Sequence, residues 1–195
     1  IMNIRKSTIW ASAAAVLCAT AAFAQGGMSW KGQRPAWHTG LALIEEGREV
    51  FRHDTFGDEE FWGGTLGLHR AIAGAANGGV GPGLSPKAAL ELGLKVDSSQ
   101  LPREVVRALE AGEVDLEDPA VTLDLLALDA GVGVGGFFGE QGRIEWVGIT
   151  CALCHSHVDD SFAPGIGRRL DGWAARDLNV GEIIAFAPSV MPFAQ

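Results

Sequence analysis

The sequence predicts a mostly α-helical fold that carries a helical insertion and one small β-hairpin. Three segments between residues 85 and 130 open with a proline, which is tolerated in a first helical turn because its missing N–H would be unpaired there. The stretch 132–150 alternates in polarity and turns at Glu140-Gln141-Gly142, which indicates a hairpin. With 47% hydrophobic and 20% charged residues, the composition is typical of a globular chain and not of a disordered one.

The first 24 residues have the pattern of a secretory signal peptide. Arg5 and Lys6 form a short positive region, an apolar stretch follows, and alanines at positions 22 and 24 match a cleavage site. Removal of residues 1–24 takes away two positive charges and no negative ones, so the formal net charge changes from −9 to −11. We expect a periplasmic or otherwise exported protein with no membrane span after the leader is removed. So acidic a chain does not suit nucleic-acid binding.

Behind the leader, the chain is expected to have three regions. A flexible N-terminal segment covers residues 25–38, a helical region with the insertion covers 39–150, and the segment with the candidate functional site covers 151–195. From Leu41 onward, apolar residues recur at helical spacing, and glycines follow the later helical segments. Helices are predicted near 40–53, 85–94, 102–111 and 119–130.

The stretch Cys151-Ala-Leu-Cys154-His155 holds the two cysteines that remain after leader removal. It has four possible interpretations: a disulfide, a redox dithiol, a zinc site or a covalent haem attachment site. An oxidising compartment permits a disulfide. A thioredoxin-type dithiol needs a βαβ neighbourhood, which the sequence does not indicate. Zinc would crowd Cys151, Cys154, His155 and His157 around one ion within seven residues.

Haem attachment accounts for every functional group of this motif. Positions i, i+3 and i+4 of a helix share one face, so Cys151, Cys154 and His155 are expected on the same side of one turn. Two thiols can then add to the two haem vinyl groups while the imidazole binds the iron. The sequence therefore predicts one covalently bound haem c in the chain, with His155 as the proximal iron ligand.

Around this motif the chain resembles the class I c-type cytochromes, which implies a fold of helices around the haem. The run GIGRRLDGWAAR (165–176) is similar to the G-x-x-L-x-G-x-x-x-R stretch of that family, whose arginine reaches a haem propionate. Arg176 matches that arginine, and Arg168 stands where the family has a proline whose carbonyl accepts from the proximal histidine. APSVMPF resembles the segment that supplies the sixth ligand, here Met191, 36 residues after His155.

Two further residues are candidates for contacts with the haem propionates. Arg168 is part of a basic cluster, and guanidinium groups suit carboxylates. Trp173 is placed to donate its indole N–H to a propionate or to form a wall of the pocket. The alternative for each arginine is a solvated side chain paired with Asp171 or Asp177.

His69 is the alternative to Met191 as the sixth iron ligand, and a half-buried histidine without a metal is its plainer interpretation. Other histidines are weaker candidates: His53 and His38 lie far upstream, and His157 is too close to His155 to reach the opposite face of the haem. A vacant sixth position would favour peroxide chemistry.

A second resemblance lies upstream, where EEGREVFRHDTFGDEEFW is similar to the opening helix of bacterial dihaem cytochrome c peroxidases. In that family the helix closely precedes the first haem motif, whereas here about a hundred residues intervene. Because only four residues follow Met191, we expect the chain to be a fragment, and a second haem motif could lie in the missing part. The acidic stretch FGDEEFW is also a weak candidate for calcium binding.

These observations predict a periplasmic c-type cytochrome that transfers single electrons between redox partner proteins. The alternative is an enzyme, the haem domain of a dihaem peroxidase-like oxidoreductase. A low-spin, six-coordinate iron distinguishes the first from the second.

Overall fold

The computed structural model describes residues 36–189. The predicted signal peptide, most of the predicted flexible segment, and Met191 lie outside these residues. The chain divides into two compact units at Leu43. The second, from Ile44 onward, contains Cys151-Ala-Leu-Cys154-His155, the predicted haem motif, which is called the haem motif below. Within residues 36–189, no helix is both long and apolar enough to cross a membrane.

Seven α-helices are found in the described residues. They are α1 (Ala36–His53), α2 (Leu68–Ala73), α3 (Pro86–Glu91), α4 (Arg103–Glu110), α5 (Pro119–Ala127), α6 (Ala152–His155) and α7 (Val180–Ala185). A π-helical turn spans Glu60–Thr65, and short 3₁₀ turns span Ala75–Asn77 and Ser98–Gln100. The first helix starts inside the segment expected to be flexible and continues through Gly40 and Gly47.

Local capping starts two helices of the insertion. The Ser85 side chain accepts a hydrogen bond from the backbone N–H of Ala88 at the start of α3, and Asp118 accepts from Ala120 at the start of α5. Pro86 and Pro119 occupy early helical positions. Each cap satisfies a backbone donor that the helix itself cannot pair.

The prediction of a mostly α-helical fold is wrong, because the described residues form a mixed α and β structure. Six strands pair into three two-stranded sheets. The strands are β1 (Val96–Asp97), β2 (Val134–Phe138), β3 (Ile144–Ile149), β4 (Ser156–Val158), β5 (Ile166–Gly167) and β6 (Arg169–Asp171). Four of them have only two or three residues, which is too short for the alternation that indicates a strand.

The three sheets differ in the separation of their partners along the chain. β2 and β3 form the antiparallel hairpin, with Gly135 opposite Gly148. β4 and β6 pair antiparallel close to the haem motif, with Ser156 opposite Asp171. β1, which lies inside the insertion, pairs in parallel with β5, which follows the motif. As a result, the insertion and the segment after the motif are held together by backbone hydrogen bonds.

The largest core cluster lies between α2, β3 and α7, with Leu66, Val147 and Ile183 among its buried side chains. A smaller cluster lies directly beneath the haem motif. It consists of Val132, Ala152 and Val158, and Phe51 at the end of α1 packs against them. The inward face of α6 is therefore held in place by apolar packing.

Candidate functional site

The haem motif forms one short helical turn with a polar outer face. Cys151 precedes α6, and both Ala152 and Leu153 are buried, whereas Cys151, Cys154 and His155 are exposed. Both cysteines are free thiols. The turn thus presents two thiols and one imidazole on its solvent side, the set of groups that covalent haem attachment requires.

Strand β3 ends at Ile149, two residues before Cys151, and its end is fixed by hydrogen bonds. Asp58 accepts the backbone N–H of Ile149, the last residue of β3, at 2.9 Å, and it also accepts the Trp62 indole N–H at 3.0 Å. Thr150 is buried, and its hydroxyl oxygen accepts the Ala152 N–H at 3.3 Å. These bonds fix the two residues immediately before Cys151.

Gly133, directly before β2, allows the backbone there to lie very close to α6. Its φ of +76° is in the left-handed region, and a Cβ there would overlap the backbone N of Leu153. The N–H of Thr150 donates to the Gly133 carbonyl at 3.1 Å. Only glycine meets both requirements at this position, positive φ and lack of a side chain.

The residues after β6 close the other end of the turn. The N–H of Gly172 donates to the His155 carbonyl at 2.8 Å, and the N–H of Ala175 donates to the Cys154 carbonyl at 3.0 Å. Trp173 lies between these two donors and is 66% exposed. The run that resembles the class I stretch is therefore bonded directly to the haem motif.

A polar bridge also ties the turn to α1. Ser156, which follows His155 and is fully buried, donates through its hydroxyl to Asp171 Oδ1 at 2.9 Å. The other oxygen of Asp171 accepts from Arg52, with Nε at 2.8 Å and Nη2 at 2.6 Å. Such a two-donor contact between guanidinium and carboxylate is among the stronger polar interactions in proteins.

Trp173 and Arg176 line one open cleft of about 600 Å³ beside the β4–β6 pair. His157 lies on another wall of the cleft, with its Nδ1 2.7 Å from the Val158 carbonyl oxygen. Asp177 also lines the cleft, and its Oδ1 forms an ion pair with Lys95 Nζ at 2.7 Å. Two of the three predicted propionate contacts thus share a cleft.

Arg168, the third predicted propionate contact, lies outside the residues that line this cleft. Its Nε donates to Asp159 Oδ2 at 3.0 Å, and its side chain is 77% exposed. Hydrogen bonds from the Ser161 hydroxyl and from the Arg168 backbone N–H hold the pKa of Asp159 well below its usual range. Asp159 is therefore ionised at neutral pH and is a standing partner for Arg168.

Arg169 is buried and belongs to a different contact. Its Nε lies 3.1 Å from Asp97 Oδ2, and both side chains are almost fully buried. Neither that Nε nor Arg169 Nη1 makes a hydrogen bond within the described structure. The two side chains therefore attract each other by charge, but the Nε–H does not point well enough at Asp97 Oδ2 to form a hydrogen bond. Asp97 Oδ1 accepts from Ser99 instead.

His69 occupies a separate cleft of about 500 Å³ with Trp146, Pro188 and Ser189, and none of the residues 151–155 lines it. The ring centroids of His69 and Trp146 are 6.2 Å apart. Burial and the charge of Arg70 lower the pKa of His69, so its imidazole is neutral at neutral pH. Neutral imidazole is the form that binds metals.

Other predicted ligand groups are occupied or dispersed. Within residues 36–189 no three His, Cys, Asp or Glu side chains come together as a group that could hold a metal ion. In the acidic stretch considered for calcium, Asp58 already accepts two hydrogen bonds and Glu59 accepts from Thr55. His53 lies 3.9 Å from Glu49 at the end of α1.

Sequence reasoning did not identify the residues that hold the turn in place: Arg52, Asp58, Ser156 and Asp171. Each acts through a partner distant in sequence, so no local pattern marks it. The one available signal was the DGW triplet at 171–173, whose glycine has a φ of +83° and whose backbone N–H reaches His155.

The groups of the turn fit haem c in their chemistry, since both thiols are free and exposed on the same turn as an exposed imidazole. Comparisons of this chain with protein-family models, with curated proteins and with solved structures found no significant match.

Proposed function

We propose that this protein is an exported c-type cytochrome that binds one haem covalently and passes single electrons between redox partner proteins. The observation that carries this proposal is the exposed face of α6, where Cys151, Cys154 and His155 stand together on one turn. When bound, haem supplies an iron that alternates between Fe(III) and Fe(II) and so accepts and releases one electron.

The two cysteines would anchor the group. Each thiol would add its S–H across one haem vinyl group, with a new C–S bond, the hydrogen on the neighbouring carbon and no net gain or loss of electrons. His155 would offer a ring nitrogen to the iron. Covalent anchoring retains the group in a compartment where a dissociated haem would be lost.

The surroundings of the turn favour haem over the other interpretations of the motif. The cysteines are separate thiols, which does not support a structural disulfide. Strands β3 and β4, which flank α6, belong to two different antiparallel pairs, so the βαβ neighbourhood of a thioredoxin-type dithiol is not found in the described part of the chain.

For the propionates we propose Arg176 and Trp173, which line one cleft beside the turn and can donate N–H groups. Arg168 would bind a propionate through its Nη groups, because its Nε already donates to Asp159. For the sixth ligand we propose Met191, with His69 as the alternative. Methionine ligation raises the potential of the haem relative to two histidines, which suits an electron carrier.

The test is an absorption spectrum of the full chain produced with a haem-attachment system, in the oxidised and reduced forms. We expect a low-spin spectrum and haem that stays on the denatured polypeptide. Cys151→Ser with Cys154→Ser should abolish that covalent haem, while the matched pair Ser98→Ala with Ser99→Ala should not.

The near-infrared methionine–iron band gives the sixth ligand. Its presence in the unmutated chain and its loss in Met191→Ala, but not in His69→Ala, support the proposed ligation. A low-spin spectrum that lacks this band and becomes high-spin in His69→Ala identifies His69 as the ligand. A high-spin spectrum that changes with peroxide would move the function to a peroxidase-like oxidoreductase. Absence of covalent haem in the unmutated chain would overturn the proposal.

A further inference from the structure

Asp171 holds the chain directly after the residue that would bind the iron. Its Oδ1 accepts the hydroxyl of Ser156, the residue directly after His155, at 2.9 Å. Its main chain lies opposite that of Ser156 in the β4–β6 pair. The next residue, Gly172, donates its N–H to the His155 carbonyl at 2.8 Å. One carboxylate and one N–H therefore hold the backbone of His155 at two adjacent points.

The second oxygen of Asp171 anchors this arrangement to α1. Arg52 donates two N–H groups to it, from Nε and Nη2. Both side chains are partly buried, with exposed fractions of 22% for Arg52 and 25% for Asp171. Phe51, the neighbour of Arg52, packs against the cluster of Val132, Ala152 and Val158 on the buried side of α6. The same end of α1 thus supports the turn by packing and by charge.

The ring of His155 has no comparable support. It makes no hydrogen bond with any other residue in the range 36–189, and the proline that orients the proximal histidine in the resembling family is replaced by Arg168. The orientation of the ring must then be set by the main chain that carries it. The chain before His155 is held by the Ala175 N–H, which donates to the Cys154 carbonyl, and the chain after it by Gly172 and Asp171. Supporting contacts of this kind orient a ligand.

We propose that Asp171 is a positioning residue, which fixes the orientation of the His155 imidazole at the iron through Ser156, Gly172 and Arg52. This inference rests on the proposed haem function. It predicts that weakening the Ser156–Asp171 bond changes the ligand field of the iron, because a ring that is free to turn samples more than one orientation.

The decisive variant is Ser156→Ala, which removes one hydroxyl and no charge. Its matched control is Ser85→Ala, which removes the buried hydroxyl that caps α3, away from the haem motif. Both changes lose one side-chain hydrogen bond, so both should lower the unfolding temperature of the holoprotein by a few degrees. Only a positioning role makes the two variants differ at the iron.

The readouts are the low-spin g values in electron paramagnetic resonance and the midpoint potential of the holoprotein. We expect Ser156→Ala to give shifted or additional g values and a changed potential, and Ser85→Ala to give those of the unmutated protein. Identical g values and potentials in all three proteins would overturn the proposal, even if Ser156→Ala is less stable.

A second variant covers the case in which Ser156→Ala fails to yield folded holoprotein. Asp171→Ala combined with Arg52→Gln removes the acceptor of Ser156 and one charge of each sign, so the net charge near the haem is preserved. The same shift in g values is expected, and unchanged values would again contradict the inference. If the unmutated chain attaches no haem, the proposed function itself fails, and that result is recognised without any variant.

Discussion

Asp58 and Ile149, 91 positions apart, are joined by a hydrogen bond of 2.9 Å from the Ile149 N–H to Asp58 Oδ1. The second oxygen of Asp58 accepts the Trp62 indole N–H. This one carboxylate therefore connects the loop after α1 to the end of β3, two residues before Cys151. Hydrogen bonds to an ionised acceptor are stronger than those between neutral groups.

Replacement of Asp58 by alanine should lower the free energy of unfolding by about 2–3 kcal/mol, because two donors lose an ionised acceptor. Asp58→Asn should lose about half as much, since the amide keeps one acceptor oxygen. Urea unfolding followed by tryptophan fluorescence measures both values. Equal stability of Asp58→Ala and the unmutated chain would contradict the bridging role.

The Arg169–Asp97 contact predicts a strongly non-additive pair of substitutions. Arg169→Met should destabilise the protein by about 3–5 kcal/mol, because Asp97 is left as a buried, unpaired charge. Adding Asp97→Asn should recover part of this loss, since the uncompensated charge is then absent. A double-mutant cycle from chemical denaturation tests the recovery. Simple addition of the two losses would show that the charges do not interact.

Asp159 predicts a specific dependence of stability on pH. Its pKa is lowered in the folded state by Ser161 and by the Arg168 backbone N–H. The folded state therefore binds the proton less readily than the unfolded chain, and the stabilisation is complete above the unfolded pKa of about 4. It is lost as the pH falls from there toward the lower pKa of the folded state.

The measurement is the unfolding temperature between pH 7 and pH 2 for the unmutated chain and for Asp159→Asn. The unfolding temperature of the unmutated chain should exceed that of Asp159→Asn by a constant amount near neutral pH, and this excess should shrink below about pH 4. Ser161→Ala should raise the carboxylate pKa, which carbon-detected NMR titration reports. A pKa unchanged in Ser161→Ala would argue against the hydrogen bond as the main cause.

At Gly133, one added methyl group should disrupt the position of α6. In Gly133→Ala, the alanine would have a positive φ and its Cβ would overlap the Leu153 backbone. We therefore expect the free energy of unfolding to fall by more than the backbone strain of a positive φ accounts for. Gly142→Ala is the matched control, because its φ is +70° and nothing lies within 4 Å of an added Cβ. The control should lose only about 1 kcal/mol. Thermal unfolding of both variants compares the two effects, and equal losses would exclude the close approach.

Local sequence signals predicted those features that depend on neighbours along the chain. Pro86 and Pro119, with the caps Ser85 and Asp118, act within one helical turn, so their effect can be read from the sequence. The shared face of Cys151, Cys154 and His155 follows from the same short-range geometry. Helix α1 starts at Ala36, ahead of the predicted start near residue 40, and it continues through Gly40 because one glycine costs only about 1 kcal/mol in a helix.

The rest of the architecture depends on contacts between distant residues. Val96 pairs with Ile166 and Ser156 with Asp171, in strands too short to show alternation, and this is why the fold class was predicted wrongly. The contacts of Asp171 with Arg52 and of Asp58 with Ile149 likewise join acidic residues that resemble ordinary surface carboxylates in the sequence.

The donors that close the haem turn have a consequence for the order of events during biosynthesis. Gly172 and Ala175 donate to the carbonyls of His155 and Cys154, and both are synthesised after the motif. If the chain is exported from its N-terminus as proposed, the two thiols would leave the translocation pore before the segment that fixes their turn. Haem attachment at this stage would act on cysteines whose turn is not yet closed by Gly172 and Ala175.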